Sequence, residues 1–250
     1  MPDERLSGKI AIVTGAATGI GAATVRDFCE NGAQVVAADI AEPGEKLAQT
    51  LRDHANRVRF EQLDVRRQED WDRVLGVCKE AYGHPNVLFN NAGALGSGRP
   101  IHEETVEGME AALAVNTIGV FLGMKAVIPG MLELGGGSII NTSSVWGIYA
   151  APANAAYHCS KGACHQMTKN AAVTYAPHNI RVNSLLPGYV DTPMSRGVTP
   201  EEAETLIRFT PIGRRAEPEE ISGMVTYLAS DESSFTVGGT FTVDGGMAAL

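Results

Sequence analysis

Tyr157 and Lys161 stand four residues apart on an alanine-rich segment that reads as a helix, so they share one face. Upstream, Ser138-Ile139-Ile140-Asn141-Thr142 reads as a buried strand, and Ser144 lies just past its C-terminal end. Gly147, Pro152 and Asn154 mark a turn between the two, and a helix laid back along the sheet brings Tyr157 beside Ser144. The chemistry that fits is hydride exchange at a carbinol carbon. A free phenol, with a pKa of about 10, is a poor base at neutral pH, and an ammonium held nearby favours the phenolate. Tyr157 would then trade a proton with an alcohol or ketone oxygen while Ser144 hydrogen-bonds the same oxygen. Taken alone, a Tyr-x-x-x-Lys reads better as a half-buried tyrosine beside a solvated lysine. A nucleotide-binding pattern elsewhere in the chain overturns that reading.

Lys9 to Thr14 is a nearly continuous apolar, β-branched run, the mark of a strand buried on both faces. It breaks into Gly15-Ala16-Ala17-Thr18-Gly19-Ile20-Gly21, and a helical pattern follows through Val25 and Phe28 to Asn31-Gly32. Strand, glycine loop and helix in that order let backbone amides reach a pyrophosphate at a helix N-terminus. A second strand, from Ala33 to Ala38, ends at Asp39, close to the spacing at which a carboxylate takes the adenosine ribose hydroxyls. Its charge repels a 2′-phosphate and the loop offers no basic residue, so NAD(H) is favoured over NADP(H); the plainer alternative is that Asp39 only caps a turn. Further strands near 58–63, 87–89, 180–186 and 240–243 alternate with helices. Asp64-Val65 ends one of them, where an adenine edge would lie. Asn90-Asn91-Ala92-Gly93 leaves another, on the cofactor side.

Asn116 interrupts a long apolar helical region from about 105 to 134, where a polar amide is costly without partners. One use for it is a local kink that frees a carbonyl to hold a water beside Lys161; the other is a structural hydrogen bond. Pro187-Gly188-Tyr189-Val190-Asp191-Thr192 bends the chain after a strand, with Thr192 placed to donate to a carboxamide or phosphate. Residues 193–215 mix Gly, Pro and charge with apolar anchors and lack a strong core stripe, which suits a mobile flap over a pocket.

Composition bounds the rest. The chain has 250 residues, 44% of them hydrophobic, and reads as a single domain over 1–250 without a linker. A formal charge of −9 speaks against nucleic-acid or anionic-membrane partners. The four cysteines form no C-x-x-C pair and read as reduced, buried thiols, and no His or carboxylate spacing suggests a metal. Met1 to Arg5 lacks the regions of a signal peptide, and Lys125 and Pro129 interrupt the most apolar helix, so we expect a cytoplasmic protein with no membrane span.

In order and spacing these motifs resemble the short-chain dehydrogenase/reductase family over nearly the whole chain. They are Thr14-Gly15-x-x-x-Gly19-x-Gly21, Asp64-Val65, Asn90 to Gly93, Asn116, Ser144, Tyr157-x-x-x-Lys161, Pro187-Gly188 and Thr192. The resemblance implies an α/β fold, a single Rossmann-like, doubly wound, seven-stranded parallel sheet flanked by helices. It implies a catalytic tetrad of Asn116, Ser144, Tyr157 and Lys161, and it selects Ser144 over Ser143 by its distance from the tyrosine. It places Gly15, Thr18, Gly19, Ile20, Gly21, Asp39, Ile40, Asp64 and Val65 on the cofactor. Asn91, Ala92, Gly93, Tyr157, Lys161, Pro187, Gly188, Val190 and Thr192 join them. Asn86 departs from the family, which commonly has aspartate there, and this leaves fine packing open. Many relatives are tetramers, with which the apolar tail Met247-Ala248-Ala249-Leu250 is compatible.

Candidate substrate contacts are Val145, Trp146, Tyr149, Pro152, Asn154, Tyr189, Met194 and Phe209, bulky and mostly apolar, with no arginine placed to clamp a carboxylate. The expected substrate is therefore a bulky alicyclic, aromatic or steroid-like secondary alcohol or its ketone. Two alternatives stand beside it. A 3-oxoacyl-thioester reductase would want NADPH and a basic patch for an acidic carrier. A non-catalytic dinucleotide sensor would have no need of Ser144, Tyr157 and Lys161.

Overall fold

The apolar runs become strands and the amphipathic stretches between them become helices: β1 (Ile10–Thr14), α1 (Gly19–Glu30), β2 (Gln34–Asp39), α2 (Glu45–Asp53), β3 (Val58–Gln62), α3 (Gln68–Ala81) and β4 (Val87–Asn90). After a long loop come α4 (Val106–Leu113), α5 (Gly119–Leu134), β5 (Gly137–Thr142), α6 (Ala155–Tyr175), β6 (Ile180–Pro187), α7 (Pro200–Arg208), α8 (Pro218–Ala229) and β7 (Thr240–Val243). This computed structural model describes residues 4–249, so Met1 to Asp3 and the last residue of the apolar tail, Leu250, lie outside the described residues. The seven strands form one sheet, ordered β3-β2-β1-β4-β5-β6-β7, and every pairing is parallel. Chain direction across the sheet reverses between β1 and β4, which opens a crevice at their carboxyl ends.

Alternation along β1 splits the core into two layers. Ala11 and Val13 face one side, where Val25 and Phe28 of α1, Leu47 of α2 and Ile221, Val225 and Leu228 of α8 cover them. Ile12 faces the other, against Trp71 and Val74 of α3, Val127 and Met131 of α5 and Cys164 of α6. Asn86 adapts where an aspartate was expected: its Oδ1 accepts from the Ile10 amide at 2.9 Å, and its Nδ2 donates to the Gly8 carbonyl at 3.3 Å.

Two expectations, on the long apolar helix and on the cysteines, need correction. Lys125 and Pro129 do not break the apolar helix, which runs continuously over Val106–Leu134 and is long and apolar enough to cross a membrane by length and composition alone. Half of its most apolar window is buried, in contacts with α3, β4 and β5, so the core accounts for much of that apolarity. The 193–215 segment, expected from its composition to form a flap, carries a regular element. It contains α7, opened by a reciprocal cap in which Thr199 accepts from the Glu202 amide and Glu202 from the Thr199 amide, with Pro200 at the first position. The cysteines are not all buried: Cys29, Cys78 and Cys164 are, but Cys159 is exposed on α6.

Candidate active site

The crevice between β1 and β4 widens into a cleft of about 840 Å³ that runs from the end of β2 to α7. Its first half is shaped by backbone. Gly15 has φ +63°, and a Cβ there would stand 2.8 Å from the Ala92 Cα. A Cβ on Gly21 would collide with the Gly15 carbonyl, so Gly21 is buried and lets α1 sit down on the loop, and it does not itself line the cleft. Gly15, Thr18, Gly19 and Ile20 do line it. Thr18, at the N-cap of α1, makes no side-chain cap and no acidic residue occupies the first turn, which leaves a helix N-terminus suited to an anion.

Asp39 closes this end. Its Oδ2 accepts from the Ala17 amide at 2.8 Å and its Oδ1 from the Ala41 amide at 2.9 Å, so the carboxylate ties the glycine loop to the end of β2 as well as capping a turn. Ile40 beside it is exposed and lines the cleft. Asp64 is held by Arg66, whose Nε and Nη2 donate at 2.8 and 2.7 Å; this pairing keeps the Asp64 carboxyl below its usual range. Val65 and Arg66 both line the cleft, the arginine not anticipated. Asn91 donates from Nδ2 to the Thr14 and Gly15 carbonyls, while the Thr14 hydroxyl accepts from the Asn91 and Ala92 amides at 3.0 and 3.1 Å. These bonds join the two strand ends that flank the crevice. Gly188 passes close to Asp244, and Pro187, Gly188, Val190 and Thr192 reach the cleft from β6. A glycine cradle, an open helix N-terminus and a carboxylate at the end of β2 fit an adenine dinucleotide.

The second half holds the titratable groups. Lys161 is buried; its Nζ donates to the Thr142 carbonyl at 2.8 Å and lies 5.9 Å from the Tyr157 ring centroid. The two serines differ in use. Ser143 donates to the Lys161 carbonyl at 2.9 Å, whereas Ser144 accepts from the Trp146 amide at 3.2 Å, opening the short 3₁₀ turn Val145–Gly147. Ser144, Tyr157 and Lys161 all line the cleft.

Asn116 does not line it. The helix widens to a π-turn at Ala114–Ile118, the local irregularity its polar side chain suggested. Its amide is consumed: Oδ1 accepts from the Ala94 amide, and Nδ2 donates to the Ala94 carbonyl and to the Ser160 hydroxyl, each at 2.9 Å. It thus ties the loop after β4 to α6 one residue before Lys161. That loop touches α6 again at Gly96, where a Cβ would collide with Asn154 Oδ1 and stand 3.0 Å from the Tyr157 amide nitrogen. Ala153 and Asn154 carry φ +62° and +53° just before α6, a costly backbone conformation for side-chain-bearing residues.

Of the eight substrate candidates, Trp146, Asn154, Tyr189 and Met194 line the cleft. The other four do not. Val145 is buried behind it, in a cluster with Tyr189 and Met247. Tyr149 and Pro152 are exposed on the turn before α6, and Phe209 is half exposed at the C-terminus of α7, outside the cleft. The cleft is also lined by Leu95 and Ser97 from the loop after β4, Val198, Glu202 and Leu206 from the 193–215 segment, and Met247. The available signal for the first two was length: residues 91–105 join β4 to α4, and loops of that length are usually functional.

A family profile described as "Enoyl-(Acyl carrier protein) reductase" matches residues 15–248. The chain is 44% identical over 246 residues to a 3-alpha-(or 20-beta)-hydroxysteroid dehydrogenase of Mycobacterium tuberculosis, covering 98% of this chain and 91% of the relative. It is 38% identical over 247 residues to the cis-4-hydroxycyclohexanecarboxylate dehydrogenase of Sinomonas cyclohexanicum, covering 99% of each. The crystal structure of levodione reductase superposes with a TM-score of 0.92 at 29% identity, covering 98% of this chain and 99% of that one. With sheet order, cleft and relatives in agreement over almost the full length, the chain belongs to the short-chain dehydrogenase/reductase family of oxidoreductases.

Proposed function

We propose that the protein interconverts a bulky, uncharged cyclic secondary alcohol and its ketone, with NAD(H) as cofactor and Tyr157 as the acid/base. The observation that carries this reading is the placement of Lys161 Nζ 5.9 Å from the Tyr157 ring centroid, in one cleft with Ser144 and the glycine cradle. The family uses a nicotinamide dinucleotide, which when bound supplies the hydride acceptor or donor. Gly15, Thr18, Gly19 and Ile20 would hold its pyrophosphate and Asp39 its adenosine ribose, with Lys161 reaching the second ribose. Ser144, whose hydroxyl proton is free to donate, orients the substrate oxygen. Tyr157 accepts that oxygen's proton during oxidation and returns it during reduction. The Lys161 ammonium stabilises the phenolate electrostatically. Asn116 acts by fixing the π-turn beside Lys161, where a freed carbonyl would hold the water that relays the proton outward.

That the substrate is a cyclic alcohol is supported by relatives named for a hydroxysteroid and for cis-4-hydroxycyclohexanecarboxylate; the second carries a carboxylate, so the preference for an uncharged ring rests on the lining of this cleft alone. Among the described residues the cleft's only Lys and Arg side chains are Lys161 and Arg66, and Arg66 is held by Asp64. No basic group is left to clamp a substrate carboxylate, which favours an uncharged ring. The −9 charge speaks against an acidic acyl carrier as partner. Exposed Ile118, Phe121 and Leu132 on the long helix, and Phe235 near β7, support self-association through those faces, and the family resemblance makes a homotetramer the expected form; light scattering reads its mass. The test of the reaction is a panel of cyclic ketones and alcohols followed by nicotinamide absorbance with both cofactors. We expect turnover of uncharged rings with NAD(H); turnover confined to acyl thioesters with NADPH would reject the proposal.

A further inference from the structure

The segment from Pro193 to Arg215 leaves the sheet after β6 and returns to begin α8, and its two ends meet at one point. Val190 pairs with Ala216 in a single parallel bridge, in which the Asp191 amide donates to the Ala216 carbonyl at 2.8 Å and the Ala216 amide to the Tyr189 carbonyl at 2.9 Å. Asp191 lies at this junction, and its carboxylate serves both ends. It accepts from Arg196, at the start of the flap, through Nε at 3.2 Å and Nη2 at 3.3 Å. It also accepts from Arg215, at the end of the flap, through Nη1 at 3.3 Å. The Arg215 guanidinium in turn lies over the Tyr189 ring, 4.9 Å from its centroid. Tyr189 is a buried wall of the cleft, packed with Val145 and Met247 and against Leu206 of α7. The neighbouring pair, Arg214 with Glu220, holds only the returning end.

We infer that Asp191 is a positioning residue: it latches the two ends of the flap together and, by fixing Arg215 over Tyr189, sets the wall against which the substrate ring lies. This rests on the reading that the flap side of the cleft takes the alcohol or ketone. Without the carboxylate, Arg196 and Arg215 lose their shared partner and repel each other across the junction. The group is about 29% exposed, so the latch is partly screened and its effect is moderate and salt-sensitive.

The test compares wild type with Asp191→Asn, which keeps shape and removes charge, and Asp191→Glu, which keeps the charge. Limited trypsin digestion of the protein without added cofactor reads the latch directly, at Arg196 and Arg208 within the flap. We expect cleavage about fivefold faster in D191N, with the ketone KM raised by a similar factor, since exposed ion pairs are individually weak. The kcat and the Kd for NADH should stay within about twofold, D191E should recover most of the change, and raised salt should move wild type toward D191N. Unchanged cleavage would overturn the latch. Faster cleavage with an unchanged ketone KM and a weakened NADH Kd would overturn the assignment of the Tyr189 wall to substrate. The digestion needs no substrate, so it decides the latch even where the alcohol–ketone reading fails.

Discussion

At the β1 end of the cleft the chain has little freedom: Gly15 is held against Ala92 with a positive φ, Gly21 against the Gly15 carbonyl, and Asp39 and Thr14 bond loop amides. At the flap end the shape depends on side chains. One carboxylate joins two arginines, an arginine covers a tyrosine, and α7 has no fully buried residue. Backbone geometry is unforgiving of residue type, while ion pairs near the surface are individually weak and easily exchanged. A cleft built this way is suited to one constant ligand at its rigid end and a variable one at the other. Tyr157, Lys161 and Ser144 lie between the two.

The largest effect should come at that junction. Tyr157→Phe is expected to lower turnover by about 10³-fold while NADH binding, read by fluorescence, changes less than about twofold. Retained turnover would remove the tyrosine from the chemistry and leave only the cradle. Gly15→Ala tests the rigid end: strain at φ +63° and the contact with Ala92 should together cost about 2 kcal/mol, lowering Tm by roughly 5 °C and weakening NADH binding more than tenfold. An unaffected Kd would mean the loop is more adaptable than its packing indicates. Asp39→Ala should reduce the NADH over NADPH preference by roughly tenfold, by removing a charge that opposes a 2′-phosphate. A constant ratio would make Asp39 a purely structural tie.

Substitutions at the variable end should alter choice more than binding of the cofactor. Trp146→Ala is expected to shift the kcat/KM ratio between a bulky and a small ketone by about tenfold, whereas Phe209→Ala, outside the cleft, should shift it less than about 1.5-fold. Equal effects would redraw the pocket. The smallest effect concerns Glu220, whose carboxyl is held down at about 2, chiefly by its hydrogen bonds with Arg214 and the Glu217 backbone. Its folded pKa lies below its ordinary value of 4.5, so its contribution is present above that value and lost as pH falls toward about 2. Acid unfolding of Glu220→Gln should accordingly be slightly less steep across that window.

The same contrast governs what could be read before the structure. Gly15, Gly19 and Gly21 were legible because a positive φ or a close backbone approach restricts which residue can stand there, and Asp39 and Asn90 to Gly93 because they follow β-branched runs at strand ends. Tyr157 and Lys161 were legible through helical spacing. The pairing that ties the ends of the 193–215 segment was not: Asp191 and Arg215 are 24 positions apart, and nothing local in the chain announces such a pair. Phe209 misled because an aromatic after an amphipathic stretch does not say which way the helix end faces. Two misses had usable signals. Thr199-Pro200-Glu201-Glu202 carries both a reciprocal cap and a proline at the first position, enough to predict α7. The exposure of Cys159 follows from its place on α6, two residues beyond Tyr157 and off the face that carries Cys164 into the core.

Ala94 sits in a loop without regular structure, yet its amide and carbonyl are both held by the single side chain of Asn116, itself fully buried. Its amide hydrogen should therefore trade with deuterated solvent on the timescale of the central strands, slower than its loop neighbours. A chemical shift or exchange rate at that one peptide group would report, without any ligand, whether the widened turn and the start of α6 are moving together.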